Sequence, residues 1–416
     1  MKRKIFYGWY IVAACVVVAA AGIGFHNTAS IFIRPVTEDL GFSRGEFTFF
    51  RTIVVILAAV LLPSYAKLVR KFSIKKVMLV GTSLNSLALF SYSFGTEIWH
   101  FYLIAVFNGL VVNASHFMVI GILISRWFED KKGLALGLAF AGSGLGAAIM
   151  VPLASWIIEG FGWRWGFRFS GMAALCILVP TVLLLIKDNP EALGLSPYRR
   201  ENGDSALSAG MVSEPKGLYL AEARKTPCFW LLAVALLGIS ISASAPNAHT
   251  APYLSDLGYS VGVVSAVVSL SMIVLTVGKI IMGHVFDRFG TFVGGITLGV
   301  FCILSPAFAL WAVNPVAPWM HAVFLGMAST GFSIPVNIYA MKFFGQKDFP
   351  AILSVLSVVT ALGAAFSPPG MGLVYDFFGS YTYAWVALIL IGCVVTLCLT
   401  GADMVYRKLS IEKRFN

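Results

Sequence analysis

Apolar stretches of about twenty residues recur from one end of this chain to the other, each long enough to cross ~30 Å of hydrocarbon as a helix. Twelve can be drawn in the 416 residues, at 8–31, 46–68, 74–95, 98–125, 133–158, 165–186, 227–250, 262–286, 292–312, 317–341, 350–375 and 381–402. A backbone in lipid must satisfy its own hydrogen bonds, which leaves helices or closed barrels. Runs of this length read as helices, so the expected fold class is an all-α membrane protein with twelve transmembrane helices. Composition agrees, with 58% hydrophobic and only 12% charged residues, against about 25% charged in soluble domains.

The formal net charge of +11 raises the question of a nucleic-acid partner, and the placement of the charges answers it. With both termini cytoplasmic, the cytoplasmic side holds 24 of the 30 Lys and Arg residues. Four lie in the outer loops or at the span ends beside them (Arg34, Arg44, Arg164, Arg168), and two lie well inside spans, Arg51 and Lys279. This is the positive-inside pattern. It implies a multi-pass protein of the plasma (inner) membrane, with lipid rather than nucleic acid as its surroundings. The first apolar run is too long for a signal-peptide core and reads as a signal anchor. Six cysteines lie in or beside apolar runs without a C-x-x-C pair, so no disulfide framework or metal site is expected. No cofactor is expected either: GSGLG at 142–146 has no strand before it to make a nucleotide loop. Its glycines, with Gly133 and Gly137, form small-xxx-small pairs suited to close helix packing.

The chain repeats itself at an offset of 217 residues. RPVTEDLGFSRG (34–45) aligns with APYLSDLGYSVG (251–262), AKLVRKFS (66–73) with GHVFDRFG (283–290), GLGAA (144–148) with ALGAA (361–365), and EGFG (159–162) with DFFG (376–379). Between the copies, residues 187–226 are polar and carry Pro190, Pro197 and Pro215. The expected organisation is an N-terminal six-helix bundle (1–186), a cytoplasmic central loop (187–226) and a C-terminal six-helix bundle (227–416). Parallel duplications of this kind pack about an axis normal to the membrane, with a substrate site near the midplane.

Within the run VGKIIMGHVFDRFG (277–290), Lys279 stands eight residues before Asp287, or ~12 Å along a helix. The acidic residues of the sequence fall in loops, tails or span ends, so no carboxylate of the chain is expected at that depth. An ionised lysine in hydrocarbon costs at least ~2.5 kcal/mol and requires a cavity or a partner. An anionic substrate would supply that partner. The alternative is a side chain bent toward Asp287 and the headgroups, or a neutral amine. The equivalent position in the first half is Leu62, so any anion site is asymmetric.

The segment 283–290 reads G-x-x-x-D-R-x-G and, with the six-plus-six duplication, resembles the major facilitator superfamily. That resemblance implies that Asp287 and Arg288 help lock helix ends at the cytoplasmic gate. The first copy departs from the signature at Ala66, Arg70, Lys71 and Ser73. A narrower resemblance, to monocarboxylate transporters and the related oxalate:formate antiporters, rests on RWFEDKKGLALGLAFAGSGLG (126–146), on Tyr7-Gly8-Trp9, and on His249-x-x-Pro252-x-Leu254-x-x-x-Gly258. In that group a helix 8 arginine pairs with the substrate carboxylate in R-x-x-x-G-x-x-x-D/N, and Lys279, Gly283 and Asp287 occupy the pattern. The helix 8 acid linked to proton coupling one turn earlier is replaced by Leu275, and a functional lysine of helix 1 by Asn27. Oxalate carriers use a second cation in helix 11, whereas 350–375 has no Lys or Arg. A monoanion is therefore expected.

The superfamily lines its cavity with helices 1, 4, 7 and 10. Here those helices carry His26 and Asn27; Asn113 and His116; His249; and Asn337 and Tyr339. Asn113, His116, Asn337, Tyr339 and Asn27 are expected to join Lys279 at the substrate. Each could equally bond a neighbouring helix. His249 and His116 are candidates to carry a proton, while His26, His249 and Arg51 are candidates for an outer gate. The reading is a secondary transporter, most simply a monomer and not an enzyme, moving a small organic anion by alternating access, with a proton as co-substrate. Carboxylate exchange, efflux by the same fold, and a non-transporting sensor are the alternatives.

Overall fold

The computed structural model describes residues 6–115, 117–129, 131–198, 217–332, 334–345 and 347–415, and those residues are almost entirely helical. In the first half, α1 runs Gly8–Asn27 and resumes as Ser30–Leu40, followed by α2 (Arg44–Lys71) and α3 (Ile74–Ser91). Next come α4 (Ile98–Val111, a 3₁₀ turn at Val112–Ser115, then Phe117–Trp127), α5 (Lys132–Phe161) and α6 (Trp163–Leu185). In the second half α7 spans Pro227–Asp256, and α8 and α9 share the stretch Val261–Leu310, divided where Gly290 takes φ 77° and ψ 179°. They are followed by α10 (Ala317–Ser329, a 3₁₀ turn at Thr330–Phe332, then Ile334–Phe344), α11 (Phe349–Phe378) and α12 (Thr382–Phe415). Eight helical stretches among the described residues are long and apolar enough to cross a membrane, and the bent α10 makes a ninth. The shared stretch of α8 and α9 is one of the eight; with α1 and α2 the helices of the two halves number twelve.

The 217-residue repeat reappears in the helix limits. Lys132–Phe161 and Phe349–Phe378 begin and end 217 residues apart. Left-handed glycines end equivalent helices: Gly41 (φ 71°) matches Gly258 (φ 85°), and Gly162 (φ 84°) matches Gly379 (φ 65°). The loops between the second and third helices of each half differ. Gly290 turns through positive φ, whereas its counterpart Ser73 stays extended and caps α3 by accepting from the Lys76 N–H.

Contacts in space divide the chain into two compact units, Met1–Asn202 with Gly258–Met272, and Gly203–Leu257 with Ile273–Asn416. In the first, α1 and α5 are in intimate contact. A Cβ on Gly142 would lie 2.3 Å from the Val16 carbonyl oxygen, and one on Gly146 would lie 2.2 Å from that of Ala20. The packing role read from GSGLG is met by these two glycines, while Gly137 faces open space. In the second unit the equivalent of Gly146, Gly363 on α11, approaches Leu237 and Ser240 of α7, and Ser244 Oγ donates to the Ala364 carbonyl at 2.9 Å.

The first unit is tied at both ends. At the end away from the termini, Asp39 accepts from Trp163 Nε1 at 2.9 Å and from Arg164 at 2.8 Å, joining the end of α1 to the start of α6. At the other end Phe6, Tyr7, Trp9, Trp127, Phe128 and Tyr198 form an aromatic cluster. There Tyr198 N–H donates to the Trp127 carbonyl at 2.9 Å, so the start of the central segment is fastened to the end of α4. The far end of that segment is fastened to α10 in the same way, Leu218 N–H donating to the Phe344 carbonyl at 2.8 Å.

Gly146→Leu should destabilise the detergent-solubilised protein by about 1–3 kcal/mol or more, because the α1 backbone occupies the space; a melting curve checks it. Hydrogen bonds from Trp163 and Arg164 hold the Asp39 carboxyl below its ordinary value. That stabilisation is fully present above the unfolded-state value near ~3.9 and is lost as pH falls through the lower folded one. Asp39→Asn should cost up to about 1 kcal/mol at neutral pH, since the pair is half exposed, and should flatten the acid limb of a melting-temperature profile measured from pH 6 to pH 3.

Candidate functional site

Two helices are broken at the same point of the repeat. In α4 the 3₁₀ turn covers Val112–Ser115, and in α10 it covers Thr330–Phe332 with a bend of 42°. Breaking a helix inside hydrocarbon strands carbonyls and N–H groups, which side chains must then satisfy. In α4 the Tyr65 hydroxyl of α2 donates to the Leu110 carbonyl, and Asn113 Nδ2 donates to the Ala58 carbonyl at 2.7 Å. In α10 the Thr330 hydroxyl donates to Met327 O at 2.7 Å, and Asn247 of α7 donates to Ser329 Oγ at 2.9 Å.

Lys279 lies beside the second break. It is half-buried on α8 and makes no hydrogen bond or ion pair among the described residues. On the same turn a Cβ added to Gly278 would lie 2.9 Å from Met327 Sδ and 3.0 Å from Thr330 Cγ2, so α8 packs on α10 where α10 unwinds. Within the second unit, α7 and α8 thus both meet α10 at its break, and the Lys279 amine, next in sequence to Gly278, stands on the same turn of α8.

The other residues singled out from sequence divide. Asn113 is buried in the α4 break with its amide committed to Ala58. Asn27 ends the first part of α1 and is half-buried, and Asn337 is exposed on the second part of α10. His116 lies outside the described residues, and His26 is described by its backbone only. Arg51 is half-buried on α2 and, like Lys279, has no hydrogen bond or ion pair among the described residues. Asp287 and Arg288 are exposed at the end of α8, and Asp287 has no such partner among the described residues.

Two candidates turn out to be fold contacts. Tyr339 is fully buried, and its hydroxyl donates to the Thr291 carbonyl of α9 at 2.6 Å. His249 is fully buried between α7, α11 and α12, with Nε2 2.8 Å from the Pro368 carbonyl and Nδ1 2.9 Å from the Tyr381 hydroxyl. Neither side chain presents a free group to a cavity as drawn from sequence, because tertiary neighbours already use both.

Two polar clusters in the second unit were missed. Asp403 of α12 is fully buried and accepts from Lys342 Nζ and Arg407 Nε, each at 2.7 Å, and from the Thr291 hydroxyl. This joins α9, α10 and α12 below the α10 break. The Asp403/Arg407 spacing of four was the available signal. His321 of α10 is buried, with Nδ1 2.8 Å from the Ser305 carbonyl and Nε2 2.9 Å from the Thr250 hydroxyl.

A duplicated all-helical membrane unit, with matching breaks in its fourth and tenth helices, defines a multi-pass secondary transporter. The sequence profile of the Major Facilitator Superfamily matches residues 12–347, and the chain belongs to that superfamily. Monocarboxylate transporter 12 of Xenopus laevis is 25% identical over 397 residues, 91% of this chain and 85% of the relative. Monocarboxylate transporter 3 of Rattus norvegicus is 32% identical over 179 residues, 42% of this chain and 36% of the relative. Among solved structures, a bacterial homolog of the human lysosomal transporter Spinster superposes with a TM-score of 0.74 at 13% identity, covering 97% of this chain and 98% of that one. The nucleoside transporter NupG does so with a TM-score of 0.71 at 14% identity, over 94% of this chain and 99% of that one. At these identities the structures speak for the fold alone, and the chain is a distant relative of monocarboxylate transporters.

Asp403→Ala would leave Lys342 and Arg407 facing each other around an empty site. It should destabilise the protein by about 3–5 kcal/mol in detergent melts. The double variant Asp403→Leu/Lys342→Met should recover part of that loss.

Proposed function

We propose that the protein carries a small organic monocarboxylate across the membrane by alternating access, with Lys279 as the group that binds the carboxylate. The observation that carries this reading is the uncompensated, half-buried lysine beside the α10 break. Its charge requires an anion, and among the described residues the chain supplies none. The relatives named monocarboxylate transporters agree with that choice of anion. Lysine is a point charge without the bidentate fork of arginine, so it suits a short carboxylate held by one end.

Proton symport is the coupling proposed, with carboxylate exchange as its rival. His249 is a poor proton carrier, since both ring nitrogens are engaged inside the second unit; His116 remains the candidate, with His26 at the outer gate. Arg51 is proposed to draw anions toward the site, and Asp287 with Arg288 to act at the cytoplasmic gate. A plasma (inner) membrane location with cytoplasmic termini is proposed with it, and the distribution of Lys and Arg supports that orientation.

The test is uptake of radiolabelled lactate, pyruvate and acetate into proteoliposomes, with and without an inward proton gradient. One of these should accumulate when the gradient is imposed; stimulation only by carboxylate loaded inside would assign exchange instead. Lys279→Ala should lower apparent affinity at least about thirtyfold, the loss expected when one partner of a buried charge pair is removed, while Lys279→Arg retains measurable uptake. Transport by Lys279→Ala at the wild-type level would overturn the assignment.

A further inference from the structure

The first unit contains a cleft of about 300 Å³ between the end of α2, the start of α3 and the middle of α4. Its wall is apolar, with Leu68 and Phe72 from α2, Val77 and Val80 from α3, and Val111 from α4. Among the described residues the one hydroxyl on the wall, that of Tyr65, is spent on the Leu110 carbonyl. The floor is formed where α3 crowds the α4 break, since a Cβ on Gly81 would collide with Ala114. Leu68, Phe72 and Val80 are also exposed, Val80 to 59%, so the cleft opens onto apolar outer surface. A water-filled purpose is ill served by such a wall; a hydrocarbon chain fits it.

The rim is basic. Lys76 borders the cleft, and Lys71 precedes Phe72 on its edge. Both are exposed, and neither makes an ion pair among the described residues. Their neighbour Lys75 is turned away, its Nζ donating to the Leu183 carbonyl at 2.6 Å and its N–H to Asp188 at 2.7 Å. Between Phe47 and Thr96 the sequence contains no Asp or Glu, although it carries Lys67, Arg70, Lys71, Lys75 and Lys76 in one short stretch. Lys71 and Lys76 thus form no ion pair among the described residues, the nearby Asp188 being bonded to the Lys75 N–H, and the positive-inside distribution sets them beside the leaflet that carries anionic headgroups.

We propose that this cleft binds an anionic phospholipid, one acyl chain lying between α2, α3 and α4 and the phosphate held by Lys76 and Lys71. Because the floor of the cleft is the α4 break, the lipid supports the segment that carries Asn113. The second unit cannot repeat the site through its own charges: the residues equivalent to Lys71 and Lys76 are Arg288 and Val293, and the acid Asp287 replaces Arg70.

The test uses the full-length protein, delipidated in detergent and titrated with dioleoyl phosphatidylglycerol or dioleoyl phosphatidylcholine. Retained lipid is counted by native mass spectrometry, and melting temperature is read in parallel. The wild type should retain phosphatidylglycerol at least about fivefold more tightly than phosphatidylcholine, the effect expected of one well-placed lysine near a phosphate. Lys71→Gln/Lys76→Gln should abolish that preference while leaving the phosphatidylcholine baseline unchanged. Val80→Trp, which fills the cleft from an exposed position, should lower retention of both lipids. Undiminished preference in the double lysine variant, or undiminished retention in Val80→Trp, would overturn the site. Equal stabilisation by glycerol 3-phosphate alone would overturn the lipid reading in favour of a soluble anion.

Discussion

A hydrocarbon surround offers no water to an unpaired N–H or C=O, and each such group costs several kcal/mol. The structure departs from continuous helix at Val112–Ser115 and at Thr330–Phe332, two points separated by the repeat length, and in both a neighbouring helix sends a polar side chain to the site. Tyr65 does this in the first half and Asn247 in the second, while Asn113 and Thr330, on the broken helices themselves, bond the Ala58 and Met327 carbonyls. Asn113 and Asn247, which look like a wet lining when read along α4 and α7, are thus already bonded to neighbouring helices at the breaks.

The charges separate along the same line. Asp403 is buried with two cations and a hydroxyl around it, so its charge is consumed in holding α9, α10 and α12 together. Lys279 has no such company among the described residues. A paired buried charge makes architecture; Lys279, without a hydrogen bond or ion pair among the described residues, has no such structural duty there. That contrast separates the two ionic features of the second unit.

Helix number, the duplication and the close helix packing at Gly142 and Gly146 were legible in the sequence, because each depends on periodicity or on residue size; that α1 is the partner was not. The breaks were harder to see. No proline marks the turn at Val112–Ser115, so apolar α4 reads as one rod. Asp403 was placed at a span end because hydropathy stops there, yet α12 continues to Phe415 and carries the carboxylate into a packed interface. The roles of Tyr339 and His249 depended on which helix each side chain faces. A one-dimensional pattern gives a residue's face on its own helix and not the identity of its neighbour.

His249 has one further consequence. The Pro368 carbonyl can only accept, so Nε2 carries the hydrogen, and a neutral ring must then take its second bond from the Tyr381 hydroxyl. A proton added at Nδ1 would reverse the direction of that bond and oblige the tyrosine to send its own hydrogen elsewhere. The ring therefore ties α7 to α11 and α12 with a fixed direction to each bond, and the neutral form is the one that both partners accommodate.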